Sequence, residues 1–386
     1  MNMKIWGLAA AAVMAVVAEA DTVINISGVG AEKKTVSIAV TGPSATAYTK
    51  SLAKNLELSG AFMVRPNAQV RITGTTTAIV AEGDGKRVSL ASTITDDKSA
   101  RMSARKFANA VCETFGGQKG FALDRIAFIS RTSKDTSELC TCYPDGYDIR
   151  QLTKYGESVV GPRWAGEDTI LYTSIGKGTQ QIMEFDLAGS KRKVKWGFRG
   201  LNAGAEISPD GTKAAIVLSV HGNPELYVID LATKRYERLT KTPNATEGCP
   251  SWSPDGKYIV YVSDEARRPN LFIIEVATKK SRRLTYKGVQ NVEPEWGRDG
   301  RIAYITKRGG AQVAVLNPAD GEASAKLLTE PGNWARPSWS RDMRNVVAER
   351  DRALFVVDTK QENGEMVAPK LVFQANGSWI NPCWYK

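Results

Sequence analysis

The sequence predicts a mainly β protein: a six-bladed β-propeller preceded by a small α/β domain. Three observations carry this. A Pro-x-Trp strand recurs as Pro162-Arg163-Trp164, Pro250-Ser251-Trp252, Pro294-Glu295-Trp296, Pro337-Ser338-Trp339 and Pro382-Cys383-Trp384, with Ile207 filling the one gap. The steps between these positions are 43, 45, 44, 43 and 45 residues. A period of that length, with four short strands in each unit, is the signature of propeller blades.

The first 20 residues stand apart from the fold. Lys4 gives a short positive start, Ile5 to Val17 is an apolar run, and Ala18-Glu19-Ala20 has the small-x-small pattern of a cleavage site. This reads as a secretory signal peptide cleaved near Ala20, with export to the periplasm.

Residues 21 to about 120 carry no repeat. Val36 to Val40 reads as a strand. Tyr48, Leu52 and Leu56 form an i, i+4, i+8 helical stripe ending at Gly60. Thr75 to Ala81 and Arg87 to Ile94 flank Gly83-Asp84-Gly85 as a hairpin. Ala104, Phe107, Ala108, Val111 and Phe115 make a second helical face, stopped by Gly116-Gly117.

From residue 121 to 386 each unit reads alike. The Trp strand comes first, and a Ser-Pro-Asp-Gly turn reverses it as a tight hairpin. Two apolar strands follow, such as Tyr258 to Val262 and Leu271 to Val276, and then a short one ending in Leu-Thr. Second strands begin near Ile126, Ile170, Ala214, Tyr258, Ile302 and Val346, which makes six. The first of these has no Trp strand before it, and Trp384 has nothing after it. The blades balance only if Asn381 to Lys386 supplies the inner strand of the first, so that the ring closes without an open edge.

Composition narrows the function. Apolar and charged fractions of 42% and 24% are ordinary for a soluble domain. The net charge of +11 favours acidic partner faces, lipid head groups or cell-wall polymers, and export argues against nucleic acid. Five cysteines at irregular spacing do not form a disulfide framework, and with one histidine, His221, a zinc site is not expected. No Gly-x-Ser-x-Gly elbow, His-Glu-x-x-His or phosphate loop is found, so no catalytic, cofactor or metal residues are assigned. Asp210, Asp255 and Asp299 recur in equivalent hairpin turns, where a turn role fits better than catalysis.

Several segments bear a resemblance to the TolB family, the periplasmic components of the Tol–Pal system. "INISG" (Ile24 to Gly28) resembles its N-terminal strand segment, and "ELSGAF" (Glu57 to Phe62) the helix end of its first domain. "GGQKGFALDRIAFIS" (Gly116 to Ser130) resembles its inter-domain junction; "SDEARRP" (Ser263 to Pro269) and "VEPEW" (Val292 to Trp296) resemble its blade loops. The α/β domain is short for the family, and the second and third blades deviate. The resemblance implies a non-enzymatic, monomeric adaptor that binds the lipoprotein Pal through the propeller and TolA through the N-terminal segment, serving outer-membrane integrity and division.

On this reading, Val23, Ile24 and Ile26 belong to the TolA-type segment, with a plain first strand as the other possibility. Loops leading into the inner strands share a face with those joining second and third strands. Asn202, Glu247, Glu293 and Arg336 lie on the first set, and Arg267, Arg268, Lys307 and Arg308 on the second; together they are the expected Pal-facing residues. Two alternatives stay open: a periplasmic propeller enzyme, lyase or glycan-active, and a sensor or scaffold subunit with other partners.

Overall fold

A computed structural model describes residues 33–176, 179–360, 366–373 and 378–385. The expected signal peptide and the segment carrying Val23, Ile24 and Ile26 lie outside them.

The N-terminal unit is a five-stranded sheet covered by two helices. The strands are β1 (Lys34–Thr41), β2 (Phe62–Val64), β3 (Val70–Thr75), β4 (Ala78–Gly83) and β5 (Lys86–Ala91), in the order β2-β1-β3-β4-β5. β1 runs parallel to both β2 and β3, joined through α1 (Ala45–Leu58). The hairpin read from the sequence is corrected here. The stretch from Thr75 to Ala81 is not one strand, because the chain turns at Thr76 and Thr77 and β3 and β4 pair antiparallel around them. The second hairpin, β4 to β5, turns at Asp84-Gly85 as the glycines require.

The long helix α2 (Asp97–Gly116) starts on a capping box, with the Asp96 carboxylate accepting from the Ser99 N–H at 2.7 Å. It ends where Gly117 takes φ 65°, a left-handed turn at which a side chain is strained. Phe107, Val111 and Phe115 on α2 and Tyr48, Leu52 and Leu56 on α1 are buried against Val36, Val70 and Ile72 of the sheet.

Six four-stranded sheets follow. Blade 2 starts with Ser158–Gly166, blade 3 with Asn202–Ile207, blade 4 with Glu247–Trp252, blade 5 with Gln290–Trp296 and blade 6 with Trp334–Trp339, and each continues outward as a meander. Blade 1 takes its inner strand from Ser378–Trp384, which pairs antiparallel with Ile126–Arg131, Trp384 opposite Ile126. Each apolar cluster in the ring draws on neighbouring blades, as when Trp252 and Ile259 of blade 4 pack on Leu226 and Val228 of blade 3. Sheet-on-sheet burial of this kind holds the ring together.

The tryptophans also stitch one blade to the next. The Trp252 indole N–H donates to the Glu206 carbonyl at 3.1 Å, Trp339 to the Glu295 carbonyl at 3.1 Å, and Trp164 to the Cys383 carbonyl at 3.0 Å. A buried indole usually finds an acceptor, and for these three the previous blade supplies it, whereas Trp296 donates to the Gly300 carbonyl of its own turn. The Asp-Gly turns are closed locally: the Asp210 carboxylate accepts from Ser208 Oγ at 2.6 Å and from the Thr212 N–H at 3.0 Å. Those bonds hold its carboxyl down at about 2.

The N-terminal unit docks on the face of the ring that bears these turns, at blades 1 and 6. Arg105 of α2 is fully buried and forks onto Asp145 with two contacts of 2.9 Å; it also reaches Asp148 at 2.7 Å. Both aspartates lie between the third and fourth strands of blade 1. Arg344 of blade 6 donates to the Gln118 side chain at 2.7 Å and to the Gly60 carbonyl at 3.2 Å. Among the described residues, the N-terminal unit leaves open the opposite face, which carries the loops between second and third strands.

Candidate functional site: the channel and the open face

The channel is shaped by a bulge repeated in all six inner strands. Gly161, Gly204, Cys249, Glu293, Arg336 and Asn381 each take a φ between 49° and 64°. Each inner strand shifts register at that point against its neighbour. Five of the six precede a proline, which has no N–H to give and so fits a bulge. Only two are glycines; the other four hold side chains in a strained backbone region, the kind of cost found where geometry serves a function.

These bulges line a cavity of about 200 Å³ at the open face. Arg336 pairs with Glu293 at 2.8 Å, and the Arg336 N–H donates to the same carboxylate at 2.7 Å. Burial disfavours the Arg336 charge, but Glu293, helped by Cys249 and Glu349, more than offsets it, so the guanidinium stays firmly protonated. Glu349, at the same mouth, accepts from the Asn381 N–H at 3.1 Å; burial, with Glu293 nearby, pushes its carboxyl up.

A second cavity, of about 660 Å³, opens on the turn face and is walled by Trp164, Trp252, Trp296 and Trp384. Arg163 borders both cavities. It extends from blade 2 to Glu295 of blade 5, directly opposite, and meets it at 2.9 Å. The Glu295 carboxylate also accepts from Ser338 Oγ at 3.1 Å and from the Trp339 N–H at 3.2 Å. The channel is thus crossed at mid-height by an ion pair. The Pro-x-Trp pattern located these two residues, but nothing in it signals that the blades carrying them face each other.

The expected contact residues fall into three groups. Asn202 is buried: its side chain accepts from the Phe198 N–H at 2.8 Å and donates to the Phe198 carbonyl at 2.7 Å, fixing the loop before it. Glu247 is also buried, bonded by Thr242 Oγ1 at 2.7 Å and Ser263 Oγ at 3.1 Å. Glu293 and Arg336 sit half-buried in the mouth as a pair. Arg267, Arg268, Lys307 and Arg308 are exposed on the open face. Arg308 lies 3.5 Å from Glu322, whose carboxylate accepts from the Tyr286 and Lys287 N–H groups.

Sequence reasoning missed the apolar part of this face. Tyr286 is 63% exposed and Val289 55%, both on the loop from blade 4 into blade 5, with the Arg283 guanidinium 4.7 Å from the Tyr286 ring. The available signal was a tyrosine and a valine in a loop otherwise rich in lysine and glycine.

The cysteines are free, and four of the five are buried, with Cys249 half-buried at the mouth. Burial pushes the Cys112 and Cys140 thiols up to about 12, which makes them unreactive packing groups. His221 is exposed and bonds the Tyr227 hydroxyl at 2.8 Å. Among the described residues there is no group of three or more His, Cys, Asp or Glu placed to hold a metal ion. No helix among them is long and apolar enough to cross a membrane.

Residues 112–386 match the profile of the family described as "TolB beta propeller domain". The Tol-Pal system protein TolB of Gluconobacter oxydans is 36% identical over 236 residues, 60% of this chain and 52% of that protein. The protein of the same name from Desulfotalea psychrophila is 34% identical over 127 residues, covering 32% and 29%. The chain spans about half or less of the length of the curated relatives it matches. In structure it superposes on the TolB of Acinetobacter baumannii with a TM-score of 0.76 at 20% identity, covering 92% of this chain and 97% of that one. At that identity the likeness speaks for the fold.

Proposed function

The chain belongs to the TolB β-propeller family, and from that premise we propose that it is a non-enzymatic periplasmic adaptor of the Tol–Pal system. Its open propeller face receives Pal, and its N-terminal segment, residues 21–30, engages TolA; through both it supports outer-membrane integrity and division.

What supports the Pal assignment is the division of the ring into two unlike faces. The turn face is partly covered by the docked N-terminal unit. The open face presents Arg267, Arg268, Lys307 and Arg308 around a rigid mouth, with Tyr286 and Val289 among them. A cationic rim steers an acidic partner, and an exposed aromatic in its midst supplies the apolar anchor on which interfaces concentrate their energy. Loops held by a rigid scaffold suit this role.

Pull-down from a detergent extract of the envelope, with the full chain as bait, tests the reading. Recovery of a peptidoglycan-associated lipoprotein that is lost on reversing charges of the open face supports it. Recovery unchanged by those reversals but lost on reversing the turn face would move the site to the other side of the ring.

A further inference from the structure

Two glutamates beneath the open face are arranged so that one hydrogen must serve both. Glu225 begins the third strand of blade 3 (Glu225–Asp230) and Glu247 the inner strand of blade 4. Both are buried, at 0% and 2% exposure. The Thr242 hydroxyl lies 2.7 Å from Glu247 Oε1 and 3.2 Å from Glu225 Oε2. A hydroxyl has a single hydrogen to donate, so if both carboxyls were ionised one of these contacts would join two acceptors.

The next junction shows what the geometry wants. There the same positions, the first residue of the third strand and the residue two before the bulge, are Asn270 and Asn291. The Asn291 side-chain N–H donates to Asn270 Oδ1 at 3.1 Å. An amide brings its own hydrogen, whereas a carboxyl in that place needs a proton. Glu225 is well supplied as an anion, by Arg238 at 2.6 Å, the Thr242 N–H at 2.8 Å and Asn223 at 3.1 Å. Glu247 has only the Thr242 and Ser263 hydroxyls, and its Oε2 is buried without a hydrogen-bond partner.

We propose that Glu225 and Glu247 share one proton, held on Glu247, and that its loss releases the 264–269 loop, making the arginine-bearing face responsive to the pH around it. The link to that loop is direct. Ser263 Oγ, which donates to Glu247, also accepts from the Glu265 N–H at 3.2 Å; the Thr246 N–H, beside Glu247, donates to Asp264 at 2.7 Å. Arg267 and Arg268 follow within four residues. The titratable and charged neighbours of the pair are Arg238, Tyr227 and Tyr261, with Asp264 and Glu265 in the loop itself; His221 bonds Tyr227 from the loop above, and Lys241 is exposed. Among the described residues Arg238 is the one cation bonded to either glutamate, and it is committed to Glu225. Burial pushes the Glu247 carboxyl up to about 7, with the Glu225 charge adding to the shift. Burial also opposes ionisation of Glu225, but the Thr240 hydroxyl, Arg238 and the Thr242 N–H outweigh it and hold that carboxyl below the usual range.

The consequence for a partner rests on the adaptor reading; the proton does not, and the test is made on the full chain alone. Carboxyl-carbon NMR titration should show one glutamate with a midpoint near 7 rather than the ordinary value of about 4.3, absent from Glu247→Gln. Amide exchange in residues 264–269 should speed up between pH 6 and 8 beyond the intrinsic rise, and Glu247→Gln should abolish the excess. If every glutamate carboxyl titrates below about 5, or if loop exchange follows the intrinsic rate in the wild type, the proposal is wrong. The wild-type titration, with the raised resonance assigned to Glu247 and separated from that of Glu349, decides even if the variant fails to fold. A failure to bind Pal alongside a midpoint near 7 would sink the adaptor reading and leave the shared proton standing.

Discussion

Arg163 and Glu295 meet at 2.9 Å from blades on opposite sides of the channel, and their contact closes what would otherwise be an open bore. Glu295 is almost wholly buried and also serves Ser338 and Trp339 of the adjoining blade. Removing one partner of such a pair strands the other. Glu295→Ala is expected to cost about 3 kcal/mol or more in denaturant unfolding, and the Arg163→Met, Glu295→Gln double change less than the sum of its parts. Additivity of the two would show that the pair is not coupled.

Closure of the ring should depend on its last inner strand. Trp384 is 1% exposed and meets Phe121 edge-on at 5.1 Å, so Trp384→Ala should lower stability by about 3–5 kcal/mol. Truncation before Asn381 should be worse, since it also strips the pairing of Ile126 and Ala127 and leaves only Ser378 to Ile380 of the inner strand. A melting temperature unchanged by truncation would mean that the ring does not need this strand.

The docking of the N-terminal unit should weaken in acid. Burial alone would raise the Asp148 carboxyl, but bonds from Arg101 and Arg105 overcome it and hold it below its ordinary value. Its contribution is therefore fully present above the unfolded carboxylate value of about 3.9, and is lost as pH falls through the lower folded value. Limited proteolysis along a falling pH series should release the α/β unit from the wild type, and Asp148→Asn should show the same susceptibility already at neutral pH.

Reversal of Arg268 and Arg308 together should weaken Pal binding by at least tenfold, about 1.4 kcal/mol, with the larger part in the association rate at low salt. Tyr286→Ala should instead act on dissociation. Lys257, exposed on the turn face, is the control; should its reversal be the most damaging, the faces have been assigned the wrong way round.

Deletion of residues 21–30 should abolish TolA binding and leave the melting temperature of the remainder within a few degrees. Retained TolA binding would remove the N-terminal segment from the adaptor reading.

Much of the fold was legible because the propeller repeats itself six times. A Trp every 44 residues or so survives the loss of one copy at Ile207, and a strand count that does not balance points to where the ring closes. The N-terminal sheet had no such redundancy. β2 is three residues long, and the parallel pairing of β1 depends on α1 crossing back over it, which no local pattern announces. At the channel the limits were of another kind. Arg163 and Glu295 lie three blades apart in the chain, and only closure of the ring makes them neighbours. Glu247 reads as an exposed acid at a loop end; what buries it is the hydroxyl of Thr242 and the fold of the preceding blade.

The composite build of blade 1 has a bearing on the order of events when the protein is made. Its three outer strands precede every other blade in the chain and its inner strand follows them all, so a chain emerging from its amino end carries an unfilled seam until the whole ring has appeared. During that interval the Ile126–Arg131 strand offers an unpaired edge to any passing chain, and the pairing that will cover it is among the most distant contacts in the sequence. The N-terminal unit docks across this seam, with Lys54 bonding the Leu371 carbonyl on one side and Arg105 gripping Asp145 on the other. These two contacts tie the first blade to the sixth alongside the pairing made by the final strand.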